Sequence, residues 1–265
     1  MKGALTLFAQ NADSKLILYT GADIQKAESD DQVLEFLSFW KGVQRGTQPR
    51  LIFDSKFTSY ANLSVLNDQN VKFITLRRRG TRLVEQTEKL APWKRINVPH
   101  AKRKFPNPMV HDSNTTLRGY EGEIRQLVMK GNGHEKPTFL ITNDFDSPVQ
   151  SLVGDYARRW RVESGIAEAV KFFNLNSLSS PILIKVQFDV IMTMVADTLY
   201  TMLAQKLRGF ESCDAPKINR HFIKGSGQIK HKDGEITVTF PRRAHNPILR
   251  SIAWDNLPKN IPWLY

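Results

Sequence analysis

Two acids and a set of arginines are the residues here that could do chemistry. Asp54 ends the apolar run Leu51–Phe53, and Glu163 follows Arg159 by four residues in a stretch without proline. On a helix that spacing puts Arg159 and Glu163 on one face. Carboxylate oxygens are hard donors that suit Mg²⁺ or Mn²⁺. Two such ions can activate water and stabilise the leaving oxygen of a phosphodiester. Arginine offers a planar fork that fits phosphate. The same residues also make ordinary structures: Arg159 with Glu163 is the pattern of a surface ion pair, and Asp54 is the pattern of a helix cap. On the residues alone both readings stand.

Other chemistries are set aside by spacing. The six histidines, at 100, 111, 134, 221, 231 and 245, show no His-x3-His or His/Cys pattern, which argues against zinc. The single cysteine, Cys213, excludes an internal disulfide and fits a reducing compartment. No phosphate-cradling glycine loop is present; Gly225 and Gly227 form a lone Gly-Ser-Gly with no strand–helix frame. There is no nucleophile elbow.

The elements that must position the two acids read as alternating strands and helices. Ala4–Gln10 and Lys15–Gly21 read as a hairpin around a turn at Asn11–Ser14. Asp30–Val43 carries a helical stripe of Val33, Leu34, Phe36, Leu37 and Trp40. The strand Arg50–Asp54, the helix Ser59–Asn70 and the strand Val71–Leu76 follow, the last running into Arg77, Arg78 and Arg79. Thr81–Lys136 carries prolines and charges with β-like pieces at Lys94–Val98 and Arg125–Met129, a β-rich insertion. Thr138–Asp144 is another strand ending on an acid, which caps the next helix near Ser147–Pro148. Tyr156–Lys171 reads as one helix, with Tyr156, Trp160, Ile166, Ala167 and Val170 on its apolar stripe. A long apolar helix lies within Pro181–Leu207. The tail after Gly209 holds strand-like pieces at His221–Gly225 and Glu235–Phe240. Acids at the ends of strands place a candidate site at the sheet's carboxyl edge.

The chain has 265 residues and a net charge of +12. The basic residues cluster at Arg77–Arg79, Lys94–Arg95, Lys102–Lys104, Arg158–Arg161 and Arg242–Arg243. Clustered positive charge favours a polyanionic partner, nucleic acid before membrane. Pro181–Leu207 contains Lys185, Asp189, Asp197 and Lys206, too many charges for a membrane span.

The strings RLIFDSKFTSYANLSVLN, VKFITLRRRG, FLITND, YARRWRVE and FFNLNSLSS resemble the DDE transposases of bacterial insertion sequences. They match the class named for a Tyr-x2-Arg-x3-Glu-x6-Lys motif through Tyr156, Arg159 and Glu163. The resemblance covers nearly the whole chain. It implies an α/β, RNase H-like (retroviral-integrase-like) mixed sheet flanked by helices, with a β-rich insertion before the glutamate helix. It makes Asp54 and Glu163 the second and third catalytic acids and ligands of a two-metal Mg²⁺ or Mn²⁺ site. It makes Tyr156 and Arg159 supports of the glutamate helix that contact DNA. Arg158, Arg161, Lys171, Arg77, Arg78, Arg79, Lys102, Arg103 and Lys104 complete the expected DNA-binding set. Two departures stand out. The motif lysine should fall on Val170, and Lys171 is one position late. The family's first aspartate belongs to a central strand preceding the one read at Ala4–Gln10, which has no acid, and Asp13 sits in the following turn; Asp144 and Asp23 are the candidate substitutes, but Asp144 fits a cap of the next helix better and Asp23 a loop.

The expectations are therefore a transposase catalytic domain performing metal-dependent DNA cleavage and strand transfer, N-terminally truncated and catalytically impaired. The alternative is a non-catalytic DNA-binding or regulatory remnant. Residues 1–80 and 138–208 would form the core, 81–137 the insertion and 209–265 a tail. The partners would be double-stranded DNA, at transposon ends and target, and another copy or a full-length transposase. The location would be the bacterial cytoplasm, at the nucleoid. Without its central strand the domain should be marginally stable and poorly soluble.

Overall fold

The computed structural model describes residues 5–44, 46–98, 107–177, 179–232 and 235–252. Lys102, Arg103 and Lys104 lie outside them. Strands β1 (Leu5–Gln10) and β2 (Ile17–Ile24) pair as a two-stranded sheet. Asp23 is an exposed residue within β2 rather than a loop residue. Helix α1 (Gln32–Val43) follows, then β3 (Leu51–Ile52), α2 (Tyr60–Asp68) and β4 (Phe73–Leu76). β3 and β4 run parallel, with Leu51 beside Phe73 and Ile52 beside Ile74.

The segment after the three arginines opens with a short helix, α3 (Thr81–Gln86). It continues with β5 (Lys94–Arg95), β6 (Met109–Thr116) and β7 (Glu123–Lys130). With β8 (Thr138–Thr142) these strands join β3 and β4 in one six-stranded mixed sheet, in the order β3-β4-β8-β7-β6-β5. The strand expected over Lys94–Val98 is confined to Lys94 and Arg95.

Alternation along the central strands explains the layers. Phe73 and Ile141 point into one core with Val33, Leu37, Leu63 and Leu66 of α1 and α2. Ile74 and Leu140 point into the other, with Leu152, Val153 and Tyr156. Those three belong to α4 (Val149–Arg158). Helices therefore cover both faces. Phe73, Ile74, Leu127, Leu140 and Ile141 are completely buried, each worth about 1.5–3 kcal/mol of transfer free energy.

Tyr156–Lys171 is not one helix. α4 ends at Arg158 and α5 runs Trp160–Phe172, with Arg159 in the joint. The bonds Arg159 N–H to Tyr156 O and Val162 N–H to Arg159 O span three residues rather than four, so the chain tightens there. The apolar stripe continues past the joint, which is why periodicity alone does not reveal it.

The chain divides into two compact units. The first holds the six-stranded sheet and extends to Glu163; the second holds residues 13–20 and 164–265. Within the second, α6 (Leu183–Lys206) is followed by α7 (Ala215–Ile218) and a wide helical turn, Asn219–Ile223. Of the strand expected at His221–Gly225, His221–Ile223 are thus helical instead, because Phe222 packs with Phe210, Leu207 and Ile218 rather than entering a ladder. β9 (Gln228–Lys232) and β10 (Glu235–Thr239) form a hairpin, and α8 (Asn246–Arg250) follows.

Candidate functional site

Asp54 sits two residues beyond β3. Its Oδ1 accepts the Lys56 N–H at 3.1 Å and the Ser55 hydroxyl at 3.5 Å, capping the single turn Ser55–Phe57. The capping role weighed from sequence is therefore real, and it holds the carboxylate at the end of the strand. Arg78 donates to Ser55 O at 3.1 Å and to Asp30 at 3.4 Å, and its side chain stays 62% exposed. The other two arginines of the triplet turn elsewhere: Arg77 donates to Gln126 and Arg79 to Pro137 O. Burial lowers the Arg77 pKa, partly opposed by Tyr60.

Glu163 meets Arg159 at 2.9 Å, Nη1 to Oε1, and its side chain is 55% exposed. Arg159 is mostly buried and lies 5.6 Å from the centre of the Tyr156 ring. Burial works against its charge, but Tyr156 and Glu163 raise its pKa overall. The Tyr156 hydroxyl is buried with no hydrogen-bond partner among the described residues. Its pKa is pushed up to about 12, first by burial, with Asp54 and Glu163 adding to the effect and Arg159 opposing it through its charge. The two acids thus act on the same phenol, one from a strand end and one from a helix start.

A second polar group joins Arg158 and Asp144, both marked in the sequence, to Arg50 and Asp155, which were not. Arg50 bridges Asp144 and Asp155, each at 3.1 Å, and Asp155 also pairs with Arg158. Asp144 accepts the Asp146 and Ser147 N–H groups and the Ser147 hydroxyl. Arg125 grips Asp112 with two bonds and donates to the carbonyls of Asp144, Phe145 and Ser147. The loop before α4 is fixed from both sides, and α4 carries Tyr156. Only the i,i+3 spacing of Asp155 and Arg158 hints at this. Asp144 is occupied in shaping the loop, and helix α4 starts at Val149 with Pro148 as its cap residue. Arg161 donates to Ala12 O at 2.9 Å. Lys171 lies in the last turn of α5, in the second unit.

As ligands for the metal that the acids suggest, Asp54 and Glu163 are oxygen donors of the right kind. Among the described residues, no group of three or more His, Cys, Asp or Glu could hold an ion. The pair therefore does not complete a metal site by itself, and no step through a metal is derived from it.

A mixed sheet with helices on both faces, and acids and arginines gathered where β3 and α5 present them, defines an α/β domain with a polar, cation-rich edge. Residues 11–198 match the family described as Transposase DDE domain, and the chain belongs to that family. A search of curated proteins found no match. The family implies a DNA substrate and use of a divalent metal. No helix among the described residues is long and apolar enough to cross a membrane.

Proposed function

We propose that this chain is a transposase catalytic domain of the insertion-sequence type, with Asp54 and Glu163 as two of its acids and with its DNA chemistry impaired in the chain by itself. The observation that carries this is the placement of Asp54 just beyond the end of β3 and of Glu163, held by Arg159 at 2.9 Å, at the start of α5, while among the described residues no group of three or more His, Cys, Asp or Glu could hold an ion. Arg159 orients Glu163, and Arg78 stands at the exposed end of the Asp54 loop, where a phosphate would meet it. The fold reading is an RNase H-like core extended by the β-rich segment.

The test is Mg²⁺-dependent cleavage of supercoiled plasmid by the chain, by Glu163→Ala and by Asp54→Ala. An uncut plasmid in all three is the expected result. Cleavage that vanishes in both variants would keep the assignment of the acids and overturn the impairment. Cleavage that survives both substitutions would overturn the assignment.

The incomplete acid set also favours a second reading, a regulator that occupies DNA ends or joins an active transposase without cutting. Producing the chain together with an active family member separates the two. A regulator lowers transposition frequency, and an inert domain leaves it unchanged.

A further inference from the structure

Residues 199–265 lie beyond the family match, yet this last quarter of the chain carries eleven Lys or Arg against five Asp or Glu, half of the net charge of +12. Charge by itself defines no site; the hairpin gives it a shape. In β9 and β10, Lys230 pairs with Thr237 and Gln228 with Thr239. Paired residues in an antiparallel ladder share a face, and so do residues two apart on a strand. Gln228, Lys230, Lys232, Glu235, Thr237 and Thr239 therefore share one polar face, with Glu235 opposite Lys232 and Thr237 opposite Lys230. Every residue of β9 is exposed.

The base of the hairpin is built to hold it. Arg243 Nη1 donates to Lys224 O at 3.0 Å, and its guanidinium lies where a side chain at Gly225 would stand. The Phe240 ring packs close to Gly227, 3.3 Å from where a Cβ would stand. Among the described residues, Lys224, Lys230, Lys232, Arg242 and Arg243 make no ion pair with a carboxylate. Lys230 has a threonine rather than an acid opposite it in the ladder, and an exposed cation on a braced ribbon favours a polyanionic partner.

We infer that the β9–β10 ribbon is a binding element for double-stranded DNA, with Lys230 and Lys232 on phosphates and Gln228, Thr237 and Thr239 beside them on the same face. A two-stranded ribbon fits the major groove, which is about 12 Å wide. Hydroxyl and amide groups among the lysines suit phosphate oxygens and base edges; a lipid headgroup layer asks only for charge. The inference rests on the transposase reading for the choice of DNA as the polyanion.

The experiment is fluorescence anisotropy of a labelled random-sequence duplex with the full chain, in EDTA, over a range of salt. Lys230→Ala with Lys232→Ala is compared with the unchanged chain and with Arg78→Ala. Removing one phosphate-binding lysine lowers affinity roughly tenfold at about 0.1 M salt and reduces the salt slope by about 0.9. The double variant should show both effects with its thermal melt unchanged. Unaltered affinity and slope in the double variant, with loss in Arg78→Ala, overturn the ribbon and leave the transposase reading standing. No duplex binding by the unchanged chain overturns both. Binding to phosphatidylserine vesicles without binding to the duplex overturns the ribbon as a DNA element.

Discussion

Arg159 Nη1 meets Glu163 Oε1 at 2.9 Å, with Arg159 in the joint between α4 and α5. The arginine is mostly buried and the glutamate half-exposed, so the pair presents an acid to solvent from a fixed anchor. Solvent screens the glutamate end of the pair, so its contribution is about 1 kcal/mol. Glu163→Gln should therefore lower stability by no more than about 1 kcal/mol in urea unfolding. A loss of several kcal/mol would make Glu163 a structural residue and remove the reason to regard it as a ligand.

Asp144 ties the loop before α4 to Arg50. Burial alone pushes its pKa up, but the bonds from Ser147, the charge of Arg50 and the Asp146 N–H hold it below the usual value. A depressed carboxylate contributes stability that is present above its unfolded pKa, near 4, and is lost as pH falls through the lower folded value. Asp144→Asn should flatten the acid limb of a stability–pH curve measured below about pH 4. At neutral pH, Asp144→Ala should cost about 1–3 kcal/mol, since partners are left unpaired. An acid limb identical in both proteins would show that other groups set it.

Arg125 makes five bonds while 10% exposed. Arg125→Ala leaves Asp112 and three loop carbonyls without their donor, and should cost about 3–5 kcal/mol. Arg125→Lys should not restore this, because an ammonium cannot span Asp112 and the loop together. Full recovery by lysine in a chemical melt would mean that charge, not the fork, matters here.

The legible parts of this fold are those whose own residues decide them. The helix over Ser59–Asn70 appears as Tyr60–Asp68 because Ser59 caps it, accepting the Asn62 N–H at 3.2 Å. The strand over Thr138–Asp144 appears as β8, and its apolar run is buried on both faces. What could not be read depends on distant partners. The ribbon strand Gln228–Lys232 has exposed lysines where a strand signal needs apolar residues. His221–Gly225 reads as extended, but its aromatic residues belong to a cluster in which His221 and His245 lie 4.6 Å apart, edge to face, with Phe210 beside both. In the site, Asp54 and Glu163 can be found from their places at element ends. Arg50, Asp144 and Asp155 come from separate segments, and no local spacing links them.

The edge of the main sheet supplies the last prediction. Leu51 and Phe53 donate their N–H groups to Lys72 O and Ile74 O of the neighbouring segment. Ile52, between them, turns its own N–H to the opposite side, where no strand pairs with β3 among the described residues. An open edge of apolar residues recruits other strands. The chain should associate as concentration rises, seen as a growing sedimentation coefficient. Ile52→Pro removes the outward donor and leaves both bonds to the β4 side intact, so it should suppress this association. Its loss of packing should cost about 1–2 kcal/mol, because Ile52 is only partly buried. A chain that stays monomeric at every concentration and melts cooperatively above about 65 °C would show that this edge is satisfied by other means.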